Sequence, residues 1–412
     1  MNRRDKSALV FVLIMTIFLL GYKFSSNYMM DYESAYLRQT TIPLSPEMST
    51  GFDPPIISQE VLDLFSNKAP AIPLQYTNLI DIEEYERGDA HENSYIPFFW
   101  HVSRNAGTTL KSLLGECLGL TLASAFQIPI DSLFVSNEPR IIRSDDVKYL
   151  NVNLQTREGI ARAKQMDIIH EIETDHGPVW TDAVFSPDLE GISGTLFSKI
   201  DRYSKTIKGA MFVMFRNPIE REISKYYAIK AASRQPGQQP LKLSLSDYID
   251  SEAYSGNLMV RQLSGVMNPG VNVTLDHLLV AKEVLRRKCF IGLLEQKQET
   301  WRRIQKIFHT RWKLDYKHVE PVCEDRYLNW GWRSRNPVKV SIDMTVEDEI
   351  LASHEGIIDI KTYKKIAAKN QLDLLLYEYS KYLFLLQKSL LPGEKPTVKT
   401  KETKANSTET KT

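Results

Sequence analysis

Arg104, Asn105, Ala106, Gly107, Thr108 and Thr109 stand in one unbroken run, and Arg216 and Ser224 follow about a hundred residues later. These residue types bind anions. Arginine supplies a planar cation that pairs bidentately with oxyanions, hydroxyls add short hydrogen bonds, and glycine lets a backbone come close. In each case the sequence around them predicts a strand, a polar turn and a helix start. Residues 96–102 are an apolar run of strand length, and from Thr108 a helical pattern sets Leu110, Leu113, Leu114, Cys117 and Leu118 on one face. Residues 209–215 are a second apolar run, with Arg216 at its end and Pro218 suited to a first helical position. A helix start offers free N–H groups and the positive end of a dipole, so two such sites suit a ligand with two separated anionic groups.

The first loop is not a Walker A motif. Val102 stands where the first glycine would be and Thr108 where the lysine would be, which disfavours a nucleotide-triphosphate kinase. In the second segment Arg216 and Ser224 are expected to converge on one phosphate. Arg221 is expected to be structural, bridging back to the loop, and Tyr226 and Tyr227 to be packing aromatics. His101 falls inside the first strand and reads as a satisfied core histidine.

The run His101-Val102-Ser103-Arg104-Asn105-Ala106-Gly107-Thr108-Thr109-Leu110 resembles the 5′-phosphosulfate loop of the sulfotransferases. Phe215-Arg216-Asn217-Pro218-Ile219-Glu220-Arg221-Glu222-Ile223-Ser224-Lys225-Tyr226-Tyr227 resembles their 3′-phosphate motif, in the same order and at a similar separation. Two further stretches, Asn257-Leu258-Met259-Val260-Arg261-Gln262-Leu263-Ser264-Gly265 and Asn370-Gln371-Leu372-Asp373-Leu374-Leu375-Leu376-Tyr377-Glu378-Tyr379, are similar to the Golgi membrane-bound carbohydrate sulfotransferases of the heparan and chondroitin type. The resemblance implies a P-loop-like, three-layer α/β fold with a central parallel sheet and a helical C-terminal part. It also implies PAPS (3′-phosphoadenosine 5′-phosphosulfate) as sulfate donor, without a metal. On that reading Arg104 to Thr109 hold the phosphosulfate, and Arg216 and Ser224 hold the 3′-phosphate. The family loop usually reads proline-lysine where this chain has Ser103-Arg104. Arginine keeps the charge that follows the departing oxygen but differs from lysine in geometry.

Sulfuryl transfer to an alcohol needs a base near the attacking hydroxyl. The stretch from Ile168 to His176 lies between the two motifs and offers His170 at an expected strand end, with Glu171 and His176 as alternatives. Trp330, Trp332, Arg333 and Arg335 cluster in a loop-like stretch, a composition that suits an anionic sugar chain. A glycan or proteoglycan is the expected acceptor. Two rival readings remain open: a non-catalytic PAPS- or glycan-binding protein on the same fold, and a type II glycosyltransferase. The latter usually carries a D-x-D metal motif that Asp145-Asp146 does not supply.

With 412 residues the chain holds one large domain plus appendages, and its net charge of +1 gives no global pull toward nucleic acid. Asn2, Arg3, Arg4 and Lys6 precede an uncharged apolar run over residues 8–22. Basic residues before such a run orient a type II signal anchor with the domain in the lumen, and the resemblance implies the Golgi. The expected layout is a cytoplasmic tail over 1–7, an anchor over 8–24, a stem over 25–93, the sulfotransferase domain over 94–391 and a disordered tail over 392–412. A short helix is expected over 59–65. Asn272-Val273-Thr274 and Asn406-Ser407-Thr408 match the glycosylation acceptor pattern. Three cysteines are too few for a disulfide framework. Cys289 and Cys323 are candidates to pair, leaving Cys117 buried on its helix, although spacing cannot settle the pairing. Further strands are expected over 148–153, 166–170 and 289–293, with helices over 156–164, 245–254, 257–263, 275–287 and 295–308. A long amphipathic pattern over 362–390 closes the domain.

Overall fold

The computed structural model of the chain describes residues 70–90, 94–124, 138–144, 146–174, 177–198, 207–234, 241–252, 254–268, 270–312, 321–331, 339–341 and 357–391. The expected tail, anchor, helix over 59–65 and C-terminal tail lie outside them. No helix among the described residues is long and apolar enough to cross a membrane.

Apolar runs make the sheet. Its strands are β1 (Tyr95–Trp100), β2 (Thr121–Ala123), β3 (Ile141–Ser144), β4 (Val147–Leu150), β7 (Ala183–Ser186), β8 (Lys208–Phe215) and β9 (Cys289–Leu293), and β5 (Ile172–Thr174) and β6 (Gly177–Val179) form a separate hairpin. The order across the sheet is β3-β4-β2-β7-β1-β8-β9. All neighbours are parallel except β3 against β4, so the expected parallel sheet carries one antiparallel edge. β8 is buried along nearly its whole length, as expected of a strand covered on both faces. Met211, Val213 and Phe215 face one helical layer, and Phe212 and Met214 face the other.

The layers are helical. On one face lie α1 (Gly107–Ser112), which continues as a wider turn over Leu113–Cys117, and a long helix, Lys297–Trp312. Leu110, Leu113, Leu114, Trp301 and Phe308 pack there on a row of rings, Phe185, Phe99 and Phe212, with centroids 5.1 and 5.0 Å apart. On the other face lie α2 (Arg157–Gln165), α4 (Leu258–Ser264), α5 (Leu275–Lys288) and the C-terminal helix α8 (Gln371–Leu386). Between α2 and α4 in sequence, α3 (Pro218–Ala232) leaves the end of β8 and packs Ile219, Ile223 and Tyr226 in a smaller cluster with Tyr248, Tyr254 and Ile366. We number the helix Lys297–Trp312 α6 and the helix Ile360–Lys369 α7.

The two stretches singled out beside the anion motifs form a reciprocal cap. Asn257, in a left-handed conformation, accepts from the Leu372 and Asp373 N–H groups at 2.9 and 3.1 Å. Asp373 in turn accepts from Met259 and Val260 at 3.1 and 2.9 Å. Each helix start thus satisfies the orphan donors of the other. Asn370 breaks the expected single pattern over 362–390 into α7 and α8 and accepts from Asn257 N at 3.2 Å. Arg261 is spent on the carbonyls of Gly256, Asn268 and Val271.

Four expectations change. Arg221 does not reach back to the loop; it lies 1 % exposed against Glu222 at 2.5 Å and Asp373 at 3.5 Å, tying α3 to α8. Residues 166–170 are turns, not a strand. Residues 70–90, expected in the stem, pack on the domain: Tyr76, Leu79 and Ile80 are buried, Ile80 N donates to Gly209 O at 2.9 Å, and Asp81 pairs with Arg287 at 2.6 Å. The disulfide joins Cys117 to Cys323, and Cys289 is buried and free. Burial pushes the Cys289 thiol well up. The bond holds the segment Pro321–Gly331 against the end of α1, where Tyr327 Oη also donates to Glu116.

Removing one member of a buried charge group leaves the others uncompensated, which costs about 3–5 kcal/mol. Asp373→Ala also strips the α4 cap, so urea denaturation should show a loss of at least ~3 kcal/mol. A loss below ~1 kcal/mol would mean that this cluster does not clamp α3, α4 and α8 together.

Candidate active site

The loop after β1 is shaped by its own backbone. Arg104 and Ala106 have φ of 68° and 59°, a left-handed conformation that costs a residue with a side chain about 1–2 kcal/mol. Between them Asn105 is fully buried, and its Nδ2 donates to Met214 O on β8 at 2.7 Å. Asn105 Oδ1 is buried without a hydrogen-bond partner among the described residues. The loop then delivers Gly107 to the start of α1, which has no side-chain cap. The N–H groups of Gly107, Thr108 and Thr109 carry no acceptor among the described residues, and Thr108 is exposed. Alternating backbone of this kind turns N–H groups into a concave anion cradle.

Gly107 is required for a reason other than oxyanion approach. A Cβ there would lie 2.1 Å from the His101 ring. His101 sits just beyond the end of β1 rather than within it, stacked on Phe99 at 5.7 Å, with its N–H donating to Ser186 O at 2.8 Å. Burial, with Lys111 nearby, pushes the His101 imidazole down to about 4, so it is neutral at pH 7.

The second motif is built differently from its expected form. Asn217 caps α3 and accepts from Ile219 and Glu220 N–H at 2.9 and 3.4 Å, Pro218 has no N–H, and Arg221 N donates to Asn217 O. The start of α3 therefore has no open N–H cradle, and any anion there must be held by side chains. Arg216 stands at the end of β8, 3.4 Å from Glu220.

The two motifs meet. Arg104 Nε donates to Ser224 Oγ at 3.1 Å, and Arg216 Nη1 donates to Arg104 O at 3.4 Å. From β1 the chain crosses toward β2 on one side, and from β8 it runs toward β9 on the other. The contact thus lies at the point where the strand order diverges, outside the carboxyl ends of the strands, the place where open α/β sheets bind ligands.

The remaining predicted residues are not all brought there. Ile168 O accepts from Thr181 Oγ at 2.6 Å, and Thr181 precedes the start of β7. Since Val184 pairs with Phe98, Thr181 is level with the start of β1, about 20 Å along the sheet from the loop at ~3.3 Å per residue. His170, whose Nδ1 meets Asp167 Oδ1 at 2.7 Å, and Glu171 follow at that opposite edge. They lie there because the chain leaving α2 must reach the first residues of β7, which runs parallel to β2 and β1. His176, Trp332, Arg333 and Arg335 lie outside the described residues, and Trp330 falls in the helical turn Arg326–Gly331. No group of three or more His, Cys, Asp or Glu among the described residues is arranged to hold a metal.

No protein-family model matches the chain, and no curated protein matches it.

His101 gives a pH signature. Its folded value of about 4 lies below the ordinary 6.5, so the folded state binds fewer protons between those limits. The contribution is complete above pH 6.5 and is lost as pH falls toward 4, up to about 3 kcal/mol. Denaturation at pH 7 and pH 4.5 should show a smaller drop for His101→Phe than for the parent; equal drops would mean that His101 titrates normally.

Proposed function

We propose that the chain is a PAPS-dependent carbohydrate sulfotransferase, moving a sulfuryl group to a hydroxyl of a glycan in the lumen of the Golgi. The observation that carries this reading is the contact of Arg104 with Ser224, which makes the two anion motifs one continuous site at the sheet's switch point. A ligand with a 5′-phosphosulfate and a 3′-phosphate needs two cationic sites of that kind side by side. The Gly107, Thr108 and Thr109 amides, the threonine hydroxyls and Arg104 would hold the phosphosulfate. Arg216 and Ser224 would hold the 3′-phosphate by side chains alone, in keeping with the filled cap at Asn217.

In the transfer, the acceptor oxygen attacks sulfur in line and the bond from sulfur to the bridging phosphate oxygen breaks. Negative charge grows on that oxygen, and the loop amides and the Arg104 guanidinium would stabilise it there. Compartment and anchoring are part of the same proposal: a type II anchor over 8–24 and a lumenal domain. The Cys117–Cys323 disulfide and the exposed Asn272 of an acceptor sequon are both consistent with an oxidising, glycosylating compartment. The acceptor is proposed to be a glycan or proteoglycan chain, not a nucleic acid.

Titration calorimetry of the full-length chain with PAP, the desulfated product, tests the donor site. Arg216→Ala should weaken PAP by about 2–3 kcal/mol or more, since a hydrogen-bonded charge contact is lost, and Ser224→Ala by about 1–2 kcal/mol. Unchanged affinity in Arg216→Ala would remove the 3′-phosphate from this place. Arg104→Ala should lower kcat by about 10²–10³ with a smaller effect on PAP, whereas Arg104→Lys should stay active. A fully active Arg104→Ala would deny the loop its role.

A further inference from the structure

With His170 and Glu171 at the far edge and His176 outside the described residues, no base candidate from the sequence stands at the loop among the described residues. The described carboxylates at the carboxyl edge of the strands are engaged. Asp188 pairs with Arg157 at 2.6 Å and caps Gly191 N, and Glu190 pairs with the same arginine at 2.9 Å. Glu220 meets Arg216, and Glu222 meets Arg221. His101 is packed on Gly107 and Phe99 and is too weak a base.

Lys111 differs from all of these. It lies on α1 three residues after Thr108 and four after Gly107, and a helical side chain leans toward the N-terminus of its helix, here toward the loop. Its Nζ stands 5.7 Å from the centre of the Phe185 ring at the end of β7. No hydrogen-bond or ion-pair partner accompanies it among the described residues. Beside Phe185, Ser124 follows Ala123, which pairs with Val184, so Ser124 shares the sheet face of Phe185. Its Oγ is buried and has no partner either. The amine thus stands over the Phe185 ring, one helical turn from the proposed phosphosulfate loop, and a buried, unpartnered hydroxyl lies at the neighbouring register position just past β2.

We propose, resting on the sulfotransferase reading, that Lys111 is the catalytic base and that the acceptor hydroxyl of the sugar is received beside it, at the carboxyl end of β7. The step balances. The acceptor oxygen forms its bond to sulfur, the sulfur–bridging-oxygen bond breaks with its electron pair on the phosphate of PAP, and the acceptor proton passes to the neutral Lys111 amine.

Desolvation prepares the amine for this. Burial pushes the Lys111 ammonium down to about 8, which leaves a usable neutral fraction near neutral pH. The groups around it do not restore the charge. From the sheet it faces the uncharged Phe185, and from the end of β1 the neutral His101. The loop contributes the cation of Arg104. On its own helix Glu116 is engaged by Tyr327, and the segment that carries Tyr327 also bears Arg326.

The test measures ³⁵S transfer by the full-length chain from labelled PAPS to desulfated heparan and chondroitin chains across pH 5.5–9.5, with PAP affinity recorded in parallel. Lys111→Arg keeps the charge and length but cannot release its proton in that range. It should bind PAP within about threefold of the parent yet lose about 10²–10³ in kcat, and Lys111→Ala should lose as much. The parent kcat should rise with pH toward about 8. Competitive labelling of the amine gives a readout independent of activity: Lys111 should react with a midpoint near 8 and be protected by PAP. A Lys111→Arg enzyme that stays active with its rising limb intact, or an amine that labels like an ordinary surface lysine, would overturn the proposal while leaving the donor site standing. A parent that binds no PAP would overturn the sulfotransferase reading and this inference with it.

Discussion

Asn105 lies fully buried between β1 and β8, and its amide donates to the Met214 carbonyl at 2.7 Å. That bond fixes the loop against the neighbouring strand while the backbone on either side, at Arg104 and Ala106, is held in a left-handed turn. Such a conformation persists only where its surroundings over-determine it. Here the surroundings are the β1–β8 register, Phe98 against Met211 and Phe99 against Phe212, and the His101 ring closing over Gly107. The consequences reach the whole edge. The N–H groups of α1 open outward, Arg104 is aimed across the strand gap at Ser224, and Arg216 is drawn to the Arg104 carbonyl.

The rest of the molecule keeps those two strand ends from moving apart. Arg221 begins one turn before Ser224 and is locked in a buried charge group with Glu222 and Asp373, so the helix carrying Ser224 is referenced to α8. Asp373 and Asn257 then cap each other's helices, which refers α8 to α4 and to the layer behind the sheet. On the opposite face the Cys117–Cys323 bond holds the far end of α1. The two stretches singled out beside the anion motifs therefore brace the helices behind the sheet.

Local patterns were readable from the residues. The strand, turn and helix of both motifs follow from apolar runs ending in Ser103-Arg104 and Arg216-Asn217, and β9 falls on the expected residues because Cys289 to Leu293 is bounded by two long helices. What depended on distant partners was not readable. The turns at 166–170 look like a strand because Met166, Ile168 and Ile169 are apolar, but they are buried as the end of α2 turns beneath the sheet. Only the crossover direction shows that His170 falls on the wrong edge. The Cys117–Cys323 pair required a contact across 206 residues. Two local signals are legible: Asn217 directly before Pro218 is a helix cap, and Lys111 is a lone cation among Leu110, Leu113 and Leu114.

The proposed donor site joins the loops after β1 and β8 into one site for a ligand bearing two separated anionic groups. Comparing PAP with adenosine 5′-phosphate and adenosine 3′-phosphate by titration calorimetry of the same full-length chain, at fixed ionic strength, measures it most directly. Each charge-assisted contact contributes about 1.5–3 kcal/mol, so PAP should bind at least about tenfold more tightly than either monophosphate. Equal affinities for PAP and one monophosphate would mean that only one of the two loops binds an anion, and the account of a joint site would be contradicted.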